Sequence, residues 1–127
     1  MFLIDFKNRK SISDQIVDNV KGLVVSGVLR TDEKMPSVRE LAEEITVNPN
    51  TVQKAYRILE GQGYIYSSQG RGTFVSDRSQ IRVSKEDILE SRAIIKDGID
   101  KLYYAGLSRE ETRRLIEDVI DERKEWT

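Results

Sequence analysis

Apolar residues at Ile12, Ile16, Val20, Leu23 and Val24 recur at steps of four, four, three and one, which places them along one side of a helix. The pattern predicts a first helix over about Asp14 to Ser26, with Ser11 or Ser13 able to cap its start and Gly27 able to end it. Met1 to Phe6, ahead of it, reads as a short extended segment. A second, shorter apolar face comes from Val38, Leu41, Ala42 and Ile45. Ser37 and Glu40 stand in the S-x-x-E spacing of a capping box, with Pro36 just before it, so a helix is expected over Val38 to Ile45. Thr46 to Asn48 then read as a turn. Asn48 suits an N-cap, and Pro49 suits the first helical position, where its missing N–H costs nothing. A third helix therefore starts at Pro49, buries Val52, Ala55, Tyr56 and Leu59, and is ended by Gly61 and Gly63. Two short helices joined by a tight turn form a helix-turn-helix.

The period then changes. Tyr64 to Tyr66 and Thr73 to Val75 are β-prone and flank Gly70-Arg71-Gly72, which predicts a hairpin with a flexible basic tip. "SDRSQIRVS" reads as a polar linker. Helical spacing returns over Lys85 to Tyr104, with Ile88, Leu89, Ile95, Ile99, Leu102 and Tyr103, opened by a weaker Ser84/Asp87 pair and stopped by Gly106. A clean capping box at Ser108 and Glu111 opens a fifth helix, Arg109 to Lys124, with Leu115, Ile116, Val119 and Ile120 expected inside. The fold class is mainly α with a small β-hairpin: a winged helix-turn-helix over 1–77, followed by a linker and a two-helix antiparallel hairpin over 78–127.

Composition narrows the function more than the fold. The chain has 127 residues and a formal charge of −1, so it is not a polycation. Residues 1–78 carry 11 basic against 10 acidic side chains, and 79–127 carry 10 against 12, a mild asymmetry. Cysteine and histidine are both absent, which removes disulfides, thiolate zinc sites and the commonest general base. Glu43-Glu44, Glu110-Glu111 and Asp121-Glu122 are adjacent on helices, where consecutive residues do not share a face, so they make poor acid/base pairs. No nucleophile stands near a base, no cofactor is implied, and an enzyme is not expected. No apolar stretch approaches the length of a membrane span, and the N-terminus lacks the order of a secretory signal. The expectation is a soluble cytoplasmic protein.

The third helix carries the chemistry. In a helix-turn-helix the second helix enters the DNA major groove by its N-terminal end. Here that end shows Asn50, Thr51 and Gln53 with no carboxylate among them. Asn and Gln can pair bidentately with adenine, and Thr can touch a thymine methyl. Lys54 and Arg57 suit phosphates. Ser37, Arg39 and Asn48 complete the candidate contacts around the turn, and Gln69, Gly70, Arg71 and Gly72 supply them at the hairpin tip, where an arginine can meet a narrow minor groove. Ordinary solvation of that helix face, or a glycine tip that only makes a turn, would also account for these residues taken singly. A module that binds proteins instead of DNA is the second functional reading. It calls for an apolar or aromatic surface where Asn50, Gln53, Lys54 and Arg57 stand.

"MPSVRELAEEITVNPNTVQKAYRILEGQGYIYSSQGRGTFV", Met35 to Val75, resembles the winged helix-turn-helix of GntR-type bacterial transcription regulators. The motifs are P-S-x-R-x-L-A, N-T-V-x-K-A-Y-x-x-L-E and G-x-G-T-F-V, and the likeness extends upstream to about Ser11. The short two-helix tail is similar to that of the YtrA subfamily. The resemblance implies DNA contacts at Arg39, at the start of the third helix and at Gly70. Many relatives have an arginine where this chain has Pro49, which moves reading to Asn50, Thr51 and Gln53. It also implies that Tyr56 packs inside, that the tail makes a homodimer, that the target is an inverted-repeat operator in double-stranded DNA, and that the role is repression of a bacterial operon, with a transporter operon as one candidate.

Overall fold

The computed structural model describes residues 3–124 and 126. They fall into two compact units that divide between Arg82 and Val83. The first holds α1 (Ile12–Val25), α2 (Val38–Ile45), α3 (Pro49–Gly61), β1 (Ile65–Ser68), β2 (Gly72–Val75) and a single 3-10 turn (Arg78–Gln80). The second holds α4 (Lys85–Tyr104) and α5 (Arg109–Asp121). Met1 and Phe2 lie outside the described residues, and Leu3 to Asp5 carry no regular element.

Each helix of the first unit starts where a side chain satisfies its free N–H groups. Ser11 Oγ accepts from the N–H of Asp14 at 3.1 Å. Ser37 Oγ accepts from Glu40 N–H at 3.1 Å, while Glu40 Oε1 accepts from Ser37 N–H at 3.2 Å. Asn48 Oδ1 accepts from Asn50 N–H at 2.8 Å, with Pro49 at the first helical position. α1 begins two residues before its expected start because Ser11, and not Ser13, is the cap; Ser13 is buried.

One core joins these elements. Ile16, Val20, Val24, Leu41, Val52 and Leu59 are buried together with Ile65 and Val75 from the hairpin. Burial of each aliphatic side chain is worth about 1.5–3 kcal/mol, so this is where the stability of the unit resides. Gln15, buried on α1, clamps the chain ahead of the helix. Its Oε1 accepts from Asp5 N–H at 2.8 Å and its Nε2 donates to the carbonyls of Asp5 (2.9 Å) and Lys10 (3.0 Å).

The hairpin is antiparallel, with Ile65 opposite Val75 and Ser68 opposite Gly72. Both strands run further toward the tip than their β-prone residues suggest. Gly72 belongs to β2, and the turn is Gln69 to Arg71, closed by Arg71 N–H to Ser68 O at 2.9 Å. A third segment, which the sequence pattern does not predict, pairs on the open side of β2. Lys34 bridges to Phe74, Met35 N–H donates to Thr73 O, and Val75 N–H donates to Glu33 O. The sequence "TDEKM" has no apolar alternation and hides this strand-like stretch.

The expected linker also contains fixed structure. Asp77 caps the short turn at Ser79, Arg82 N–H donates to Gln62 O at 2.9 Å, and the Arg82 guanidinium donates to Gly61 O. Ile81 packs against the core. Residues 78–82 thereby form a strap across the C-terminal end of α3, and they belong with the first unit.

In the second unit, Ser108 and Glu111 form the expected capping box, and α5 ends at Asp121, short of Lys124. The sequence pattern puts Leu115, Ile116, Val119 and Ile120 inside, but no residue of α4 or α5 is fully buried. Ile94 is 72% exposed and Tyr104 82%. Two helices share one seam, and these apolar side chains occupy more than one face of each.

Candidate nucleic-acid interface

The helix-turn-helix turn is tight because Thr46 takes a left-handed conformation (φ 56°, ψ 55°), which lets Val47 N–H donate back to Ala42 O at 2.9 Å. Backbone geometry of this kind is uncommon for a β-branched residue and brings the end of α2 onto the start of α3. Arg39, Ala42 and Glu43 of α2 then line one open cleft with Thr46, Val47, Asn48 and Pro49.

The outward face of α3 carries Pro49, Asn50, Gln53, Lys54 and Arg57 over its first two and a half turns, with Thr51 half-buried. None of the first turn is acidic. Among the described residues, no hydrogen bond or ion pair holds the side chains of Asn50, Gln53, Lys54 or Arg57, and none of these side chains is aromatic or aliphatic. Four polar groups that can donate hydrogen bonds thus stand unengaged on one outward face of α3, with Asn50 in its first turn. None of the four supplies the aromatic or methionine side chains that are enriched at the centre of protein-binding faces.

Ser37 and Asn48 sit where the sequence places them, but their side-chain oxygens are already accepting helix N–H groups. Tyr56 is buried. Its hydroxyl donates to Pro36 O at 2.7 Å, which ties the middle of α3 to the residue before the α2 cap. Burial, with Glu40 and Glu44 adding to it, pushes the phenol far above its ordinary pKa, so it stays protonated and the bond persists. Hydrogen bonds from Ser37 hold the Glu40 carboxyl below its ordinary value, so the ionised capping form is retained.

The wing joins the same surface. Gln53 and Arg57 of α3 share a cleft of about 280 Å³ with Ser67 of β1 and Thr73 of β2. Gln69, Gly70, Arg71 and Gly72 are all exposed at the tip. Gly70 has φ +76° and open space around it, so backbone conformation and not room demands glycine there. Gly70→Val is accordingly expected to distort the tip, to weaken DNA binding, and to cost about 1–2 kcal/mol of stability through backbone strain, although no core atom is touched. Titration with DNA and a thermal melt of the same variant check this; unchanged affinity would remove the tip from the interface.

A helix-turn-helix with free polar groups at the start of α3 and a glycine-bearing wing beside it defines a DNA-binding winged helix. Comparison with known proteins agrees. Residues 12–75 match the family described as bacterial regulatory proteins, gntR family. The HTH-type transcriptional repressor YtrA of Bacillus subtilis (strain 168) is 35% identical over 94% of this chain and 92% of its own. A solved structure described as a transcriptional antiterminator from Listeria monocytogenes EGD-e is 41% identical, with a TM-score of 0.73 over 94% of this chain and 89% of its own. The DNA-binding domain of AraR, solved in complex with operator ORX1, is 30% identical with a TM-score of 0.51, over 59% of this chain and 96% of its own. The chain belongs to the GntR family of bacterial transcription regulators, and it is a sequence-specific DNA-binding protein.

Proposed function

We propose that this protein is a homodimeric repressor that binds an inverted-repeat operator, reading bases with Asn50, Thr51 and Gln53 and gripping phosphates with Arg39, Lys54 and Arg57. The observation that carries the reading is the unengaged polar face at the N-terminal end of α3. Gly70 and Arg71 meet the adjoining minor groove at the wing, and Gln69 and Gly72 flank that contact. Ser37 and Asn48 present their helix N-termini to the backbone, as α2 and α3 each begin at a capped end. The domain boundary follows from this: residues to about 82 bind DNA, and the tail brings two copies together. Repression is the role of the relative named YtrA, and a bacterial operon, of the transporter class among others, is its proposed object here. Catalysis has no place in this reading, and the protein would act where the DNA is, in the cytoplasm.

Asn50→Ala and Gln53→Ala are expected to relax base preference at particular operator positions, each by about 1–3 kcal/mol where the lost contact is bidentate. Selection of binding sites from a random library by each variant reads this directly. If both variants return the wild-type motif unchanged, the assignment of these residues to base reading is wrong.

A further inference from the structure

The wing's cationic tip has a contributor from outside the hairpin. Lys34 lies 37 residues before Arg71 in the chain, yet its backbone pairs with Phe74. Paired residues in an antiparallel bridge project to the same face, and Phe74 shares that face with Gly72, two residues closer to the tip. The Lys34 side chain runs along it toward the turn. Its Cε lies 3.1 Å, and its Nζ 3.8 Å, from where a β-carbon on Gly72 would stand. The side chain occupies room that any residue but glycine would contest.

Among the described residues no carboxylate is ion-paired with it, although its charge reaches Glu40, whose carboxylate accepts from Ser37 N–H. The Asp32 carboxylate accepts the Tyr66 hydroxyl at 2.7 Å, and Tyr66 in turn stacks on Phe74 with ring centroids 5.6 Å apart. Glu33 Oε1 accepts from the N–H of Arg30 at 3.1 Å. The ion pairs among the described residues are Lys10–Asp18, Lys96–Asp100 and Arg113–Glu110, and Lys34 is in none of them. A lysine side chain in no ion pair is thus held against the root of the tip by a backbone ladder, and the carboxylates of Asp32, Glu33 and Glu40 each accept a hydrogen bond from another group.

We propose that Lys34 is a DNA-backbone contact of the wing, pairing with a phosphate that flanks the groove entered by Gly70 and Arg71. The inference rests on the DNA-binding reading and extends it to the segment before α2. A lysine is a point charge with three donors and no planar fork, so it grips phosphate without reading sequence. Its loss should therefore weaken operator and non-operator DNA by the same factor. Each phosphate contact contributes about 0.9 to the slope of log affinity against log salt. A homodimer carries two copies of Lys34, so raising salt fourfold should then weaken Lys34→Ala about 12-fold less than it weakens the wild type.

The test titrates wild type, Lys34→Ala, Lys34→Arg and Arg39→Ala against two duplexes: a site selected by the wild-type protein from a random library, and a mixed-sequence duplex of equal length. A slope lowered by about two, one contact from each protomer, in Lys34→Ala on both duplexes, restored in Lys34→Arg, supports the contact. An unchanged slope in Lys34→Ala beside a lowered slope in Arg39→Ala overturns it and leaves the DNA-binding reading standing. A loss confined to the selected site overturns it as a phosphate contact. A wild type whose affinity does not depend on salt overturns the contact together with the broader reading. Thermal melts of Lys34→Ala separate these outcomes from damage to the strand, because the bridge is made by backbone atoms and survives truncation of the side chain.

Discussion

A chain ending at Arg82 is expected to stay folded, to become monomeric, and to bind a two-half-site operator at least about 100-fold more weakly than the full chain. The first unit has its own buried core and closes it with the 78–82 strap, so a chain ending at Arg82 keeps every residue of that core. What it loses is the apolar surface of the tail. Ile88, Leu89, Ile94, Ile95, Val119 and Ile120 are each more than half exposed in the single chain. Apolar side chains left open in this number mark an association site, and a second copy of the same helices gives a two-fold pair. Two copies place two α3 helices on one duplex, with half-sites about one helical turn, or a simple multiple, apart. The second half-site then binds at a high effective concentration set by the tether, and this multiplies affinity without any new type of contact. Sedimentation of both chains and titration against whole and half operators check the expectation. A monomeric full chain at micromolar concentration, or equal affinity for half and whole sites, would sink the dimer.

Gly63→Ala is expected to destabilise the first unit by about 3 kcal/mol, a fall of roughly 12–24 °C in Tm for a domain of this size. Gly63 follows the end of α3 with φ +84°, a conformation costly for any residue with a side chain. A β-carbon there would also lie 2.0 Å from the carbonyl oxygen of Gln80 and 2.8 Å from its carbon. Both are backbone atoms of the strap, so no side-chain rotation relieves the overlap. The strap must lift, breaking the Arg82–Gln62 bond and uncovering Ile81. Gly22, exposed in the middle of α1 with nothing within 4 Å of where a β-carbon would stand, is the control. Gly22→Ala should stabilise by about 0.4–1 kcal/mol, because helix geometry suits alanine and the unfolded chain loses freedom. Parallel thermal melts read both. A Gly63→Ala protein as stable as wild type would mean that the strap is not seated on α3.

The elements most visible in the sequence are those that local chemistry determines. α2 and α3 start at Val38 and Pro49 as expected, because Ser37 with Glu40 and Asn48 with Pro49 satisfy helix N-termini through contacts two or three residues away. The apolar faces follow from the 3.6-residue period, and Val52, Ala55, Tyr56 and Leu59 are all buried as that period requires. Asn50, Gln53, Lys54 and Arg57 are legible as the outward face for the same reason, since the inward positions are taken.

What the sequence could not show depends on partners far along the chain. The Tyr56 hydroxyl finds Pro36 twenty residues away, and the Tyr66 hydroxyl finds Asp32 thirty-four residues away. Lys34 joins the wing through ladder bonds from a charged stretch with no strand pattern, so its place beside Gly72 has no local signature. The polar segment at 78–82 looks like a free linker until the carbonyls left unpaired at the end of α3 supply its acceptors. The tail shows the limit from the other side. Its helices and caps were determined by the sequence alone, through Ser84, Gly106 and the Ser108–Glu111 box. Only the tertiary structure decided that their apolar side chains stay uncovered within one chain, because two helices have one shared seam and this sequence places apolar residues on more faces than one seam can bury.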